Sequence, residues 1–195
     1  LALDKGFGRL MIKGKIERID ICEDDENVYV RVIDYKSGKQ EFNLLETYYG
    51  LKMQLITYLD AAMKIEEKRH PGKRIIPAGV YYYNIDDPII EIAPQEAKKC
   101  NSKQDISDQI LEKLKMAGFT NSNKNIVKMM DSTEDKSIVI PVAYKKDGGF
   151  TASSKVYDTE QISNLVDYME LKSVDVGEAI LDGKTDINPY RTGTD

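Results

Sequence analysis

Val28-Tyr-Val-Arg-Val-Ile-Asp34-Tyr-Lys36-Ser-Gly38 is the stretch on which the reading of this chain turns. Strand side chains alternate between two faces, so Val28, Val30 and Val32 share one face, and Asp34 and Lys36 continue it. Charge takes over where the apolar run ends, at the point where a strand should stop. Working outward, Glu23-Asp-Asp-Glu-Asn27 is a polar turn cluster, and Arg9 to Cys22 reads as the other arm of a hairpin. Further upstream, Asp4-Lys-Gly-Phe-Gly8 reads as another turn, with Leu1–Leu3 as the stub of a preceding strand. The chain does not start with Met, so it is expected to be a piece of something longer, truncated at both ends.

Downstream, Tyr48, Leu51, Leu55, Leu59, Ala62 and Met63 recur at steps of three and four, which predicts a helix over 48–69. His70-Pro71-Gly72 stops it. Ile75 to Ile85 is rich in strand formers, with Pro77 near its start, and Ile89–Ile92 is a candidate partner. A helix is expected over about 94–116, with Gly118 as its stop. A short helix over 125–130, a strand over 137–144 interrupted by Pro141, and a long amphipathic helix over 159–181 follow. Asn188-Pro-Tyr-Arg-Thr-Gly193 leads off as a loop. A sheet opening followed by mixed helices and strands gives α/β or α+β.

The 195 residues carry 28 Lys+Arg and 33 Asp+Glu, a net charge of −5, with 41% apolar residues. That composition excludes a largely disordered chain and suits one globular domain. It argues against binding nucleic acid by bulk charge, but not against an enzyme whose metal-holding site is locally acidic. No apolar run approaches the roughly 18–20 residues that span a bilayer, and no signal peptide is present. Cys22 and Cys100 cannot make a disulfide framework or a four-cysteine site; they read as reduced thiols of a cytoplasmic protein, with a single bridge left open. No Gly-x-x-x-x-Gly-Lys-(Ser/Thr) is present, so this stretch has no ATPase of its own.

Three features converge on one chemistry. Asp34 and Lys36 stand at a strand end, Gly14-Lys-Ile-Glu-Arg-Ile-Asp20 lies on the partner arm, and Gln54-Leu-Ile-Thr-Tyr58 opens the next helix. A divalent cation that cuts a phosphodiester needs carboxylate oxygens plus open positions for water and phosphate. Acids on neighbouring strands can meet that need, since cross-strand neighbours sit roughly 5 Å apart. A lysine on the same face helps position the attacking water and neutralises phosphate charge. Gln54 and Tyr58, four apart, share a helix face. Strand alternation puts Asp20 on the opposite face from Glu17.

These motifs in this order resemble the RecB-type branch of the PD-(D/E)XK nucleases. The closer similarity is to the AddB/RexB family of bacterial helicase–nuclease subunits. Val32-Ile-Asp-Tyr-Lys-Ser-Gly38 and Tyr48-Tyr-Gly-Leu-Lys-Met-Gln-Leu-Ile-Thr-Tyr-Leu-Asp60 carry it most densely. Ala78-Gly-Val-Tyr-Tyr-Tyr83, Asp87-Pro-Ile89 and Asn188-Pro-Tyr190 add to it. The resemblance implies a restriction-endonuclease-like α/β core, a central mixed sheet flanked by helices. It makes 1–195 one nuclease domain, with a core over 1–95 and a helical extension over about 96–195. It implies a Mg²⁺- (or Mn²⁺-) dependent DNA exonuclease acting in double-strand break repair and recombination, on the 5′-ended strand. It also implies an AddA-like partner subunit, and a fragment weakly active by itself. Carried over residue by residue, the metal acids fall on Glu17 and Asp34, with the Tyr35 carbonyl as a further ligand. The catalytic lysine falls on Lys36, and the DNA-positioning pair on Gln54 and Tyr58. Two departures stand out. The first acid is usually Asp and here is Glu17. The family's 4Fe–4S cluster belongs to the full-length parent, because Cys22 and Cys100 do not match its ligand positions. The alternative function is a non-catalytic scaffold that keeps the fold, guides DNA and binds the partner subunit.

Other features have plainer readings. Asp20 pairs with Arg18 or Arg31. Glu23–Glu26 lacks the alternating ligands and turn glycine of a calcium loop and is a solvated turn. Lys64, Lys68, Arg69, His70, Lys73 and Arg74 suit a helix C-terminus whether or not DNA is near. His70 is no general base, and Tyr81–Tyr83 pack a core.

Overall fold

In the computed structural model, which describes residues 2–5, 8–85, 103–187 and 189, the expected first arm is two strands in two sheets. β1 (Ala2–Lys5) pairs antiparallel with β2 (Gly8–Met11), and β3 (Arg18–Glu23) pairs antiparallel with β4 (Asn27–Lys36). Between them, 12–17 is irregular. Lys13, Gly14 and Lys15 give it no alternating apolar side chains to anchor a ladder. The turn over 23–27 is as expected. Asp24 holds it by accepting from the Glu26 and Asn27 amides at 2.9 and 2.7 Å.

The expected helix over 48–69 is also two elements, α1 (Leu44–Tyr48) and α2 (Gln54–Arg69). Asn43 starts α1 by accepting from the Leu45 and Glu46 amides at 2.9 and 3.1 Å. Gly50, at φ +82, ends it, with Gly50 and Leu51 donating to the Thr47 and Glu46 carbonyls. Tyr48 and Leu51 therefore fall outside the α2 stripe and are about half exposed, whereas Leu55, Leu59 and Ala62 are fully buried. Gly72, at φ +90, turns the chain after α2 as expected.

β5 (Arg74–Asn84) runs parallel to β4, with Asp34 beside Tyr82 and Lys36 beside Asn84. The register shifts by a bulge at Val30/Arg31, where Pro77 offers no amide. α3 (Lys103–Leu114) follows; the expected helix before 103, the Ile89–Ile92 strand, Asp87-Pro-Ile89, Cys100, and Asn188 and Tyr190 of the final loop lie outside the described residues. Gly118 is no helix stop. It lies within β6 (Ala117–Asn121), antiparallel to β5. After α4 (Lys124–Met130), the expected strand over 137–144 is reduced to two isolated bridges. The Ser137 hydroxyl accepts from the Val139 and Ile140 amides, and Pro141 has no amide, so this stretch wraps on itself. β7 (Val156–Tyr157), parallel to β6, closes the sheet, and α5 (Thr159–Leu181) spans the predicted residues under an Asp158–Gln161 capping box.

The result is α/β, a mixed five-stranded sheet β3-β4-β5-β6-β7 with flanking helices. β6 and β7 come from beyond residue 95, so the sheet draws on the stretch that the sequence sets apart as an extension. Val28, Val30 and Val32 meet Leu55, Leu59, Val166 and Met169 of α2 and α5 on one face, and Ile33, Tyr81, Val127 and Ile140 fill the other. Burying each such side chain contributes about 1.5–3 kcal/mol, enough to fix the register that carries Asp34 and Lys36. No helix of the described residues is long and apolar enough to cross a membrane.

Candidate active site

The apolar face of β4 does not end at Val32. Asp34 continues it, 3% exposed, at the edge of the valine layer. A carboxylate in such a place needs a partner, and the strand supplies one two residues on. Lys36 Nζ lies 2.6 Å from Asp34 Oδ2. The contact is an ion pair off hydrogen-bonding geometry, so Oδ2 remains a buried oxygen without a hydrogen-bond donor.

α2 supplies the second support. Gln54, its first residue, accepts from Lys36 Nζ through Oε1 at 2.9 Å. The Gln54 amide then donates through Nε2 to the Tyr58 hydroxyl at 3.1 Å. The i,i+4 spacing read from the sequence is thus used within the site itself. A carboxylate, an amide oxygen and an aromatic face surround the ammonium, since the Tyr82 ring centroid lies 5.7 Å from Nζ. Tyr82 was invisible to sequence reasoning as a neighbour of Asp34, because only the parallel β4–β5 register puts it there. Burial pushes its phenol up to about 12, with Asp34 and Glu46 adding to the rise, so it stays a neutral wall.

Glu17 comes in from the irregular stretch before β3. The register pairs Arg18 with Ile33, so Glu17 stands level with Asp34 one residue further along. Its Oε2 accepts from the Tyr35 backbone amide at 2.6 Å, which draws the carboxylate to the strand end between Asp34 and Lys36. The extra methylene relative to Asp spans that gap. The Tyr35 side chain turns to the other face, edge-on to Tyr83 at 5.8 Å. Asp20 is engaged elsewhere: Arg18 Nε and Arg31 Nε donate to it at 2.8 and 3.0 Å. Burial pushes the Asp20 carboxyl up, but the two guanidiniums more than offset this and hold it below the ordinary range. The expected basic cluster is similarly neutralised, with Lys64 paired to Asp60, Arg69 to Glu66 and Lys73 to Glu23. His70 Nδ1 lies against the Glu66 carboxylate at 3.3 Å, at the far end of α2 from Gln54.

Among the described residues, no group of three or more His, Cys, Asp and Glu side chains is placed to hold a metal ion. The strand end offers two carboxylates and the Tyr35 carbonyl. That donor set, all oxygen with water completing the shell, suits a hard divalent cation. The Asp34 Oδ2 atom, buried and lacking a donor, is the observation that fits such an ion. Cys22 is a free, exposed thiol whose neighbour is Met129 Sδ at 3.5 Å, a structural contact away from this cluster.

The pattern of the PD-(D/E)XK nuclease superfamily matches residues 1–194. The chain is 40% identical, over 93% of its length, to the B chain of an ATP-dependent helicase/deoxyribonuclease of Lachnoclostridium phytofermentans. It is 36% identical over 98% of its length to the protein of the same description in Oceanobacillus iheyensis, and 35% identical over all of its length to that of Clostridium kluyveri. The chain spans 16% of the length of each of these relatives.

Proposed function

The chain belongs to the PD-(D/E)XK nuclease superfamily, and from that premise we propose that it is a metal-dependent deoxyribonuclease module, a DNA exonuclease within a bacterial helicase–nuclease subunit. The observation that carries this reading is the cluster at the end of β4. Asp34 is buried with an oxygen to spare, Lys36 is ion-paired to it, and Glu17 is tied to the amide between them. The relatives are described as helicase/deoxyribonucleases, which supports DNA as the substrate, an AddA-like second subunit as partner, and a role in processing DNA ends for repair and recombination.

Glu17, Asp34 and the Tyr35 carbonyl would hold the cation, Mg²⁺ or Mn²⁺. When bound, such an ion polarises the scissile phosphodiester and stabilises the charge that grows on its oxygens. The chain's own groups do the rest. Lys36 presents an ammonium that orients the attacking water and offsets phosphate charge. Gln54 fixes the direction of that ammonium, because its amide oxygen takes one of the three N–H bonds. The Tyr58 hydroxyl accepts from Gln54 and keeps its own proton to donate to the DNA backbone. The Tyr82 ring excludes water behind the lysine.

Titrating the protein with Mn²⁺ by calorimetry, beside a metal-dependent DNA cleavage assay, tests the reading. Millimolar or tighter binding is expected, lost in E17A and retained in E17D, with cleavage following binding. Absence of binding in the unaltered protein overturns the enzyme reading and leaves a scaffold that guides DNA.

A further inference from the structure

We propose that Gly14 is a positioning residue for Lys36, acting through Tyr58; the proposal rests on the role given to Lys36 above. In Gly14-Lys-Ile-Glu-Arg-Ile-Asp20, Glu17 reaches the site, Arg18 and Asp20 pair, and Ile16 packs on the core. Gly14 has no such account. Its backbone does not require glycine, since it is absent from the left-handed positions taken by Gly50, Gly72 and Gly148. It lies outside any strand or helix and is exposed. What sets it apart is its neighbour. A Cβ at Gly14 would lie 3.0 Å from Tyr58 Cε1, 3.3 Å from the Tyr58 hydroxyl and 3.6 Å from Cζ.

Tyr58 is held by α2 and packs on the main core cluster, so its ring cannot retreat freely. Its hydroxyl accepts from Gln54 Nε2 at 3.1 Å, and Gln54 Oε1 accepts from Lys36 at 2.9 Å. A side chain at residue 14 displaces the ring by a few tenths of an ångström. The Gln54–Tyr58 hydrogen bond, already at the long end of its range, then loosens. Gln54 loses its anchor and Lys36 loses one of its three supports. The bare backbone at Gly14 is thus the surface that keeps a chain of contacts, Tyr58 to Gln54 to Lys36 to Asp34, in register. The site tolerates little looseness, since small misplacement of a reacting group costs rate steeply.

The test is a double-mutant cycle in the intact protein. G14A is expected to lower kcat for DNA cleavage about 3-fold and G14V about 10-fold or more, with KM for DNA within about 2-fold. In a Q54A background, G14V is expected to cost less than about 2-fold further, because the contact it disturbs is already gone. Mn²⁺ affinity by calorimetry is expected to be unchanged in both glycine variants. Additive losses in G14V/Q54A overturn the proposal. So does weakened Mn²⁺ binding, which places the effect on Glu17, three residues along the same segment. G14A, which adds one methyl group, decides the matter where G14V lowers the melting temperature, by the same cycle. A K36A protein that cleaves normally overturns the role of Lys36 itself, and this proposal with it.

Discussion

Asp34→Asn is expected to lower metal-dependent DNA cleavage by roughly 10³-fold or more while leaving the fold intact. Asparagine fills the same volume in a site that is 3% exposed, so the valine layer beneath it is undisturbed. What changes is charge. The Oδ2 oxygen that lacks a hydrogen-bond donor ceases to be a carboxylate, and Lys36 loses its counter-ion at 2.6 Å. Removing one electrostatic stabiliser from a water-excluded site costs about 10²–10³ in rate, and here the cation's holder and the lysine's orienter are lost together. Lys36→Ala is expected to cost about 10²–10⁴, the range for a group that handles protons and charge in the transition state. Lys36→Arg is expected not to rescue. The ammonium fits between the Asp34 carboxylate, the Gln54 amide oxygen and the Tyr82 ring. A planar guanidinium needs a fork of acceptors that this site lacks. Cleavage of labelled duplex and single-stranded DNA with Mg²⁺ or Mn²⁺, beside thermal melts, measures all three. D34N cleaving within about tenfold of the unaltered protein would refute the assigned role.

Much of this site was legible because its cause is local. Charge in phase with Val28, Val30 and Val32 marks a strand end where a carboxylate and a lysine share the buried face, and that is where Asp34 and Lys36 lie. Alternation also separated Glu17 from Asp20, which indeed turns to Arg18 and Arg31. The four-residue spacing of Gln54 and Tyr58 gave their shared face. What could not be read was set by distant backbone. Tyr82 flanks Asp34 only through the parallel β4–β5 pairing, and Gln54 turns to Lys36 only because α2 crosses that strand end. The sequence pointed Gln54 outward to DNA, whereas its amide is already engaged on both sides. Tyr48 and Leu51 continue the apolar period of α2 by sequence, yet Gly50 breaks the helix between them. A period-based reading cannot see a left-handed glycine that ends one helix just before another starts.

Gly118 is the sharpest case of one residue with two readings, and it carries the largest expected effect on stability. After an amphipathic stretch, a glycine reads as a helix stop. In the fold it lies inside β6, opposite Tyr81 of β5. A Cβ there would lie 1.9 Å from the Val80 carbonyl oxygen and 2.8 Å from Tyr81 Cα. Both are backbone atoms, so no rotamer change relieves the contact. G118A therefore forces β6 away from β5, against Phe119 and Thr120, which are fully buried, and against the Tyr81–Thr120 hydroxyl contact of 2.6 Å. Overpacking of this kind with loss of a buried hydrogen bond costs about 3–5 kcal/mol, at the upper end for single substitutions. For a chain of this length that corresponds to a fall in Tm of about 10 °C. G118V is expected to prevent folding at ordinary temperatures. The readouts separate the two kinds of residue. D34N removes cleavage and keeps Tm, whereas G118A lowers Tm, and its remaining folded fraction loses activity only as far as β5 carries Tyr82 away from Lys36. G118A melting within about 3 °C of the unaltered protein would mean that β6 is not pressed against β5 at this position.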